Sequence, residues 1–174
     1  MAADADAVYA CCRAGIGGHI SGMLGGKMDD LHGPSLPFRD ARVVFLDDEG
    51  HFVCTGPMMT GTHFYMGETA VLLLEGNTVI VSSRPCQAWD QEIIKCCGLD
   101  PLSFDYIVLK SAVHFRGHFT DIATHIVEVT GPGIHSSRLS DFNFKNIRRP
   151  LYPIDGYFDQ QQEAEDAVAT SSRL

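Results

Sequence analysis

At 174 residues, with 45% hydrophobic and 20% charged positions, the chain has a globular balance, is long enough to bury a core, and is not composed like a disordered segment. Lys and Arg total 13 against 22 Asp and Glu, a formal charge of -9, and a surface that acidic repels phosphate backbones and anionic lipid, so neither nucleic acid nor membrane is expected as a partner. The longest apolar run, Ala70 to Leu74, is far too short to span a bilayer, and Met1 to Asp6 holds two acids and no basic stretch, so no secretory signal is readable.

In chain order, Asp4 to Ala14 reads as a helix of Ala, Val and Tyr that the glycines at 15, 17 and 18 stop. His19 to Leu24 reads as a short strand, and Leu31 to Pro37 as loop. Arg39 to Leu46 and His51 to Cys54 flank Asp47-Asp48-Glu49-Gly50, which predicts a hairpin. Thr69 to Leu74 and Thr78 to Ser83 enclose Glu75-Gly76-Asn77, a second hairpin; both runs are apolar on both faces and should be interior strands.

Farther on, Trp89, Ile93, Cys96 and Cys97 recur at helical spacing before Gly98, predicting a helix over 89–97. Tyr106 to Leu109 reads as a buried strand. Ser111 then caps a helix with Phe115, Phe119 and Ile122 on one face, and His125 to Val129 returns as a strand. The expectation is an α+β fold: a single mixed-sheet domain with a strand-rich first half, then a helix and a late β-α-β unit. That domain is taken as residues 1–155, with 156–174 a polar acidic tail, solvated helix or disorder.

The six cysteines, at 11, 12, 54, 86, 96 and 97, include two adjacent pairs, which suit neither a zinc ribbon nor a secreted disulfide framework. Free thiols in a reducing compartment follow, and with them a cytoplasmic location. Gly22 to Met28 imitates a phosphate loop, but Ser21 stands where the first Gly belongs and Met28 cannot ligate magnesium, so its glycines are read as turns. His114, His118, Asp121 and His125 would share one helix face, and a His pair four apart is a zinc-helix spacing. No Glu follows the first His, and a polar helix face needs such residues with no metal, so no metal ligand is assigned in this chain.

Lys110-Ser111-Ala112-Val113-His114-Phe115-Arg116 is more informative. A strand feeding a helix would leave free N–H groups at Ser111, with Lys110, His114 and Arg116 around them: a carboxylate or phosphate site, or else a plain cap among solvated cations.

These residues also carry a family resemblance. Gly25-Gly26-Lys27 with Leu31-His32-Gly33-Pro34 resembles the GGK…LHGP segment of the C-terminal domain of microcystinase C (MlrC)-type metallopeptidases. Residues 110–116 are similar to its KSxxHFR motif, and Arg149 to Asp155 to its closing RPxxPLD, with Gly67 to Val71 and Ser83-Arg84 between them in order. The resemblance implies an accessory half of a metal-dependent hydrolase of small linear peptides such as opened microcystin. The catalytic zinc is expected in a separate metal-binding domain, supplied in cis or in trans, and none in this chain. Relative to the family, the sequence begins at a later helix, after a glycine-rich stretch, a helix and a strand, and His118 stands where a small residue is usual. Lys110, Ser111, His114 and Arg116, with Lys27 and His32 behind them, are the candidates to hold a substrate carboxylate; no catalytic residue is assigned. The alternative is an independent binding or scaffold module, or a truncated gene product, without peptidase activity.

Overall fold

The structure, a computed structural model, describes residues 1–31, 33–129, 131, 139, 142–152, 154 and 155. Chain contacts divide it into two units, Met1–Ile134 and His135–Leu174.

The first unit is built on β1 (Ala2–Ala3), α1 (Ala5–Ala14), β2 (His19–Leu24), β3 (Leu36–Asp47), β4 (His51–Val53), β5 (His63–Tyr65), β6 (Thr69–Leu74) and β7 (Asn77–Ser82). Two short helices, α2 (Glu92–Lys95) and α3 (Arg116–Phe119), follow. Five strands form one sheet in the order β1-β7-β6-β3-β2, and β4 and β5 pair separately. β1 runs parallel to β7 and the other pairs are antiparallel, so the sheet is mixed and the α+β expectation holds.

The two-residue alternation of β6 and β7 explains why both read as interior strands. Ala70, Leu72 and Val81 point to one face, where they meet Ala7, Val8 and Cys11 of α1. Val71 and Ile80 point to the other, against Phe52, Met66, Ile93, Ile94 and Phe119. The hairpin register pairs Leu74 with Asn77, leaving Glu75 and Gly76 as a two-residue turn in which both have positive φ, as a tight hairpin of this hand requires.

The Asp47–Gly50 turn forms, with the Asp47 carboxylate accepting from Glu49 N–H and Gly50 N–H, but it makes no hairpin. β3 pairs with β2 and β6, whereas β4 pairs with β5, so this turn carries the chain from one sheet to the other. Gly50 permits it: φ is +54°, and a Cβ there would lie 2.4 Å from Thr69 Oγ1 and 2.8 Å from the Gly67 carbonyl.

The late segment departs further from the sequence reading. The helix expected over 89–97 shrinks to α2, and the Asp90 carboxylate just before it accepts from Glu92 N–H and from Thr55 N–H and Gly56 N–H of the loop after β4. The helix expected from Ser111 begins only at Arg116. Residues 106–109 and 125–129 belong to no sheet among the described residues, and Tyr106 and Val108 are 90% and 82% exposed. The order of apolar segment, helical turn and apolar segment is kept, but its outer members lack a ladder partner. Among the described residues no helix is long and apolar enough to cross a membrane.

In the second unit, the Arg149 guanidinium pairs with the Asp155 carboxylate, which also accepts from Leu151 N–H at 2.7 Å. The first and last residues of the Arg149–Asp155 motif thus tie its ends together. The tail from 156 onward lies outside the described residues.

Candidate functional site

The candidate anion residues do not form one cluster. Lys27 lies beside α1, where its ammonium donates to Asp4 Oδ1 at 2.8 Å and lies 3.7 Å from Asp6. Asp4 caps α1 by accepting from Ala7 N–H at 3.1 Å and takes Gly25 N–H at 2.8 Å. Burial alone would raise the Asp4 pKa, but the Lys27 ammonium and the two backbone donors outweigh it and hold the carboxyl below its ordinary value. Gly26 has φ +62°, and a Cβ on it would come within 2.4 Å of Ser35 N. The Gly-Gly-Lys motif is therefore a clasp on the start of α1. His32 lies outside the described residues.

Ser111 and His114 are brought together, and the residue that joins them, Gln87, went unnoticed in the sequence. Its amide Nε2 donates to Ser111 Oγ at 2.9 Å, and its Oε1 lies 3.3 Å from His114 Nδ1. Ser111 Oγ also accepts from Phe115 N–H at 3.3 Å, which closes one turn ahead of α3 and turns the Phe115 ring towards the core. Arg116 lies over the Phe115 ring at 5.3 Å and pairs with Glu128 Oε1 at 2.5 Å. Lys110, His114 and Arg116 are all exposed. Since α3 is a single turn, this corner offers no helix dipole; its charged side chains are Lys110 and Arg116, the latter paired with Glu128.

The zinc-helix spacing is not realised. His118 Nδ1 lies 3.0 Å from Asp90 Oδ1 and accepts Gln91 N–H at 3.1 Å, while Gln91 Nε2 donates to the His118 carbonyl at 2.5 Å. Asp90, 1% exposed, further accepts Thr55 N–H, Gly56 N–H and Glu92 N–H at 2.8–3.1 Å. A Cβ on Gly56 would stand 2.5 Å from the His118 ring. His118 is thus the peg that fastens α3 to the loops before β5 and α2. Among the described residues no group of three or more His, Cys, Asp or Glu is arranged to hold a metal ion, so the zinc that the family resemblance implies finds no fitting donor set in them.

Two other motif pieces have structural duties. Gly67 has φ +71°, and a Cβ there would lie 2.4 Å from Ser83 Oγ. Ser83 N–H donates to the Glu68 carbonyl at 2.8 Å and Arg84 N–H to the Met66 carbonyl at 3.0 Å, so the two motif segments close on each other. All six cysteines are free; Cys11, Cys54 and Cys97 are buried, Cys86 and Cys96 half-buried, and Cys12 exposed.

Comparison with known proteins agrees with the motifs. The family model for the MlrC C-terminus matches residues 1–146. Microcystinase C from a Sphingomonas species is 23% identical over 143 residues, covering 82% of this chain and 26% of its own length. A crystal structure of a protein from Mesorhizobium sp. BNC1, assigned as a metallopeptidase, superposes with a TM-score of 0.73 at 30% identity, covering 89% of this chain and 30% of that one. The chain thus spans about a quarter to a third of the length of these relatives.

Proposed function

Because the chain belongs to the family of MlrC C-terminal domains, we propose that it is the accessory domain of a metal-dependent peptidase, docking on a metal-binding catalytic domain and not cleaving peptides itself. The observation that carries this reading is the matched span: residues 1–146 fall in the family, yet correspond to only about a quarter to a third of the relatives' lengths. Catalysis by the whole assembly needs a zinc site that this chain's described residues do not supply. The substrates proposed are the small linear peptides that the family resemblance implies, in keeping with the name of the Sphingomonas relative, microcystinase C.

The substrate contact proposed for this chain is the corner of Lys110, Ser111, His114 and Arg116. Gln87 fixes Ser111 and His114 there, the exposed Lys110 adds charge, and Arg116 would exchange its exposed partner Glu128 for a peptide carboxylate in a site closed over by a second domain. Lys27 is the weaker candidate, since its ammonium is held by the buried Asp4 carboxylate.

The test is reconstitution. Purified chain mixed with an isolated metal domain of the family should form a stoichiometric complex that hydrolyses a linear peptide, with zinc held by the metal domain alone. A metal domain that is fully active by itself and does not bind the chain would remove the accessory reading and leave an independent module.

A further inference from the structure

The chain has two pairs of adjacent cysteines, and the fold treats them differently. Cys11 and Cys12 lie inside α1, where successive side chains point about 100° apart around the axis; Cys11 is buried and Cys12 exposed. Cys96 and Cys97 follow the last residue of α2, and their Sγ atoms are 3.9 Å apart. Both sulfurs also lie near the Ile93 carbonyl, at 3.6 and 3.8 Å, so the end of α2 turns the two side chains to one side. Cys97 is 3% exposed and packs in the core, whereas Cys96 is half-buried.

The two thiols therefore differ in chemistry. Cys97, sunk deeper, keeps its proton and donates it to the Cys96 sulfur. That bond holds the Cys96 pKa below the ordinary thiol value, against the opposing effects of burial, Asp47 and Glu92. The same bond, with burial added, raises Cys97. The thiolate of the pair thus forms on the member nearer solvent, with a second thiol in contact with it. A thiolate poised next to another thiol is the arrangement of a cysteine that is oxidised and then resolved.

We infer that Cys96 and Cys97 form a reversible oxidation site for a small hydroperoxide, with Cys96 as the attacking sulfur and Cys97 as the resolving thiol. With hydrogen peroxide, the Cys96 sulfur attacks one oxygen and the O–O bond breaks. The other oxygen leaves as hydroxide, takes up a proton to become water, and Cys96 becomes a sulfenic acid. Its sulfur then no longer draws the Cys97 proton, which removes the largest of the causes that raise Cys97. The Cys97 sulfur attacks the Cys96 sulfur, the S–O bond breaks, and the hydroxyl leaves with the Cys97 proton as a second water. Two electrons pass from the two thiols to one peroxide. Adjacent Cα atoms are about 3.8 Å apart, short of the roughly 4.4–6.8 Å that disulfides usually span, so the ring is strained and a thiol reductant reopens it readily. A Cβ on Gly98 would meet nothing within 4 Å, so the turn has room to adjust as the ring closes. Cys86 is the competing partner, since it feels the charge of Cys96, but its thiol donates to the Gln87 carbonyl at 3.7 Å. The site needs neither zinc nor a second domain, so it stands or falls apart from the accessory role.

The test uses the intact chain and hydrogen peroxide. Trypsin cuts after Lys95 and Lys110, and the peptide between holds Cys96 and Cys97 and no other cysteine. After brief oxidation and blocking with iodoacetamide, this peptide should be lighter by two hydrogens, carry no alkyl group, and return to the dithiol with dithiothreitol. Cys11 and Cys12 should form no disulfide with each other. Cys97→Ala removes the resolving thiol and leaves an apolar residue in the core. Cys96 should then pass on to sulfinic acid at least about tenfold faster than in the wild type, beyond recovery by dithiothreitol. Cys96→Ser should leave Cys97 a thiol under the same treatment. The inference is overturned if wild-type Cys96 reaches sulfinic acid as fast as in Cys97→Ala, or if its disulfide joins Cys86. It is overturned equally if both thiols still take up iodoacetamide, on denaturation, after peroxide has oxidised the exposed Cys12. Should Cys97→Ala fail to fold, the wild-type peptide decides alone.

Discussion

Replacing Asp4 with Ala removes three hydrogen bonds from one carboxylate whose side chain is 1% exposed. Loss of the helix cap at Ala7 N–H costs about 1 kcal/mol. Leaving Gly25 N–H part-buried without an acceptor costs roughly another 1 kcal/mol. The pair with Lys27 adds on the order of 1 kcal/mol and not the several expected of a fully buried pair, because Lys27 is 32% exposed and lies 3.7 Å from Asp6. Asp4→Ala should therefore destabilise the chain by about 3 kcal/mol at pH 7, read as a lower urea midpoint with an unchanged slope. The pH dependence carries its own sign. Asp4 is held below its ordinary pKa in the fold and regains about 3.9 on unfolding. Its contribution is thus fully present above that unfolded value and disappears as pH falls through the folded one. The stability gap between wild type and Asp4→Ala should narrow on acidification below about pH 5. A loss under about 1 kcal/mol, or a gap that stays constant down to pH 3, would refute the clasp.

Asp90→Ala strands the N–H groups of Thr55, Gly56 and Glu92, so a loss of roughly 2–4 kcal/mol is expected in the same urea assay; Asp90→Ala at wild-type stability would show that this carboxylate carries no load. Burial, with smaller effects from neighbouring thiols, pushes Cys11 and Cys86 up to about 11, which leaves on the order of one thiolate in a thousand at pH 8. Iodoacetamide at that pH should label the exposed Cys12 first and reach Cys11 and Cys86 only after denaturation, and mass spectrometry showing early Cys86 labelling would contradict the packing. In the reconstituted peptidase, Lys110→Met or Arg116→Met should raise KM while kcat and metal content change less; in the isolated chain Arg116→Met should shift stability by no more than about 0.5 kcal/mol, since Arg116 and Glu128 are both exposed.

What could be read in advance was local and periodic. α1 announced itself through Asp4, its apolar spacing and Gly15, and the β6–β7 hairpin through two runs apolar on both faces around a two-residue turn. The Asp47–Gly50 turn was also legible as a turn, but its partner was not. Whether two strands flanking a turn pair with each other depends on which edges are free: β3 already has β6 and β2 on its two sides, so β4 pairs with β5 instead and its Phe52 joins the cluster that takes β3's Val44 and Phe45. Of the candidate site, the motif residues were visible but their duties were not. Lys27, read as an anion contact, is the partner of an acid 23 positions earlier, and Gln87, which organises Ser111 and His114, lies outside every motif.

The misread late segment has a single physical cause. A run such as Tyr106–Leu109 declares an extended backbone through its β-branched and aromatic side chains, but that preference mostly reflects how such side chains fit a pleated, half-buried surface. The ladder is a property of two segments. Ile107 and Leu109 find the core and fix the segment's inner face, so the backbone is extended; Tyr106 and Val108 find nothing, so no strand is completed. The same absence shortens the helix that follows. Without a laddered strand feeding it, the chain from Ser111 to Phe115 is organised by side chains, Gln87 on Ser111 and Ser111 on Phe115 N–H, and a regular turn begins only at Arg116.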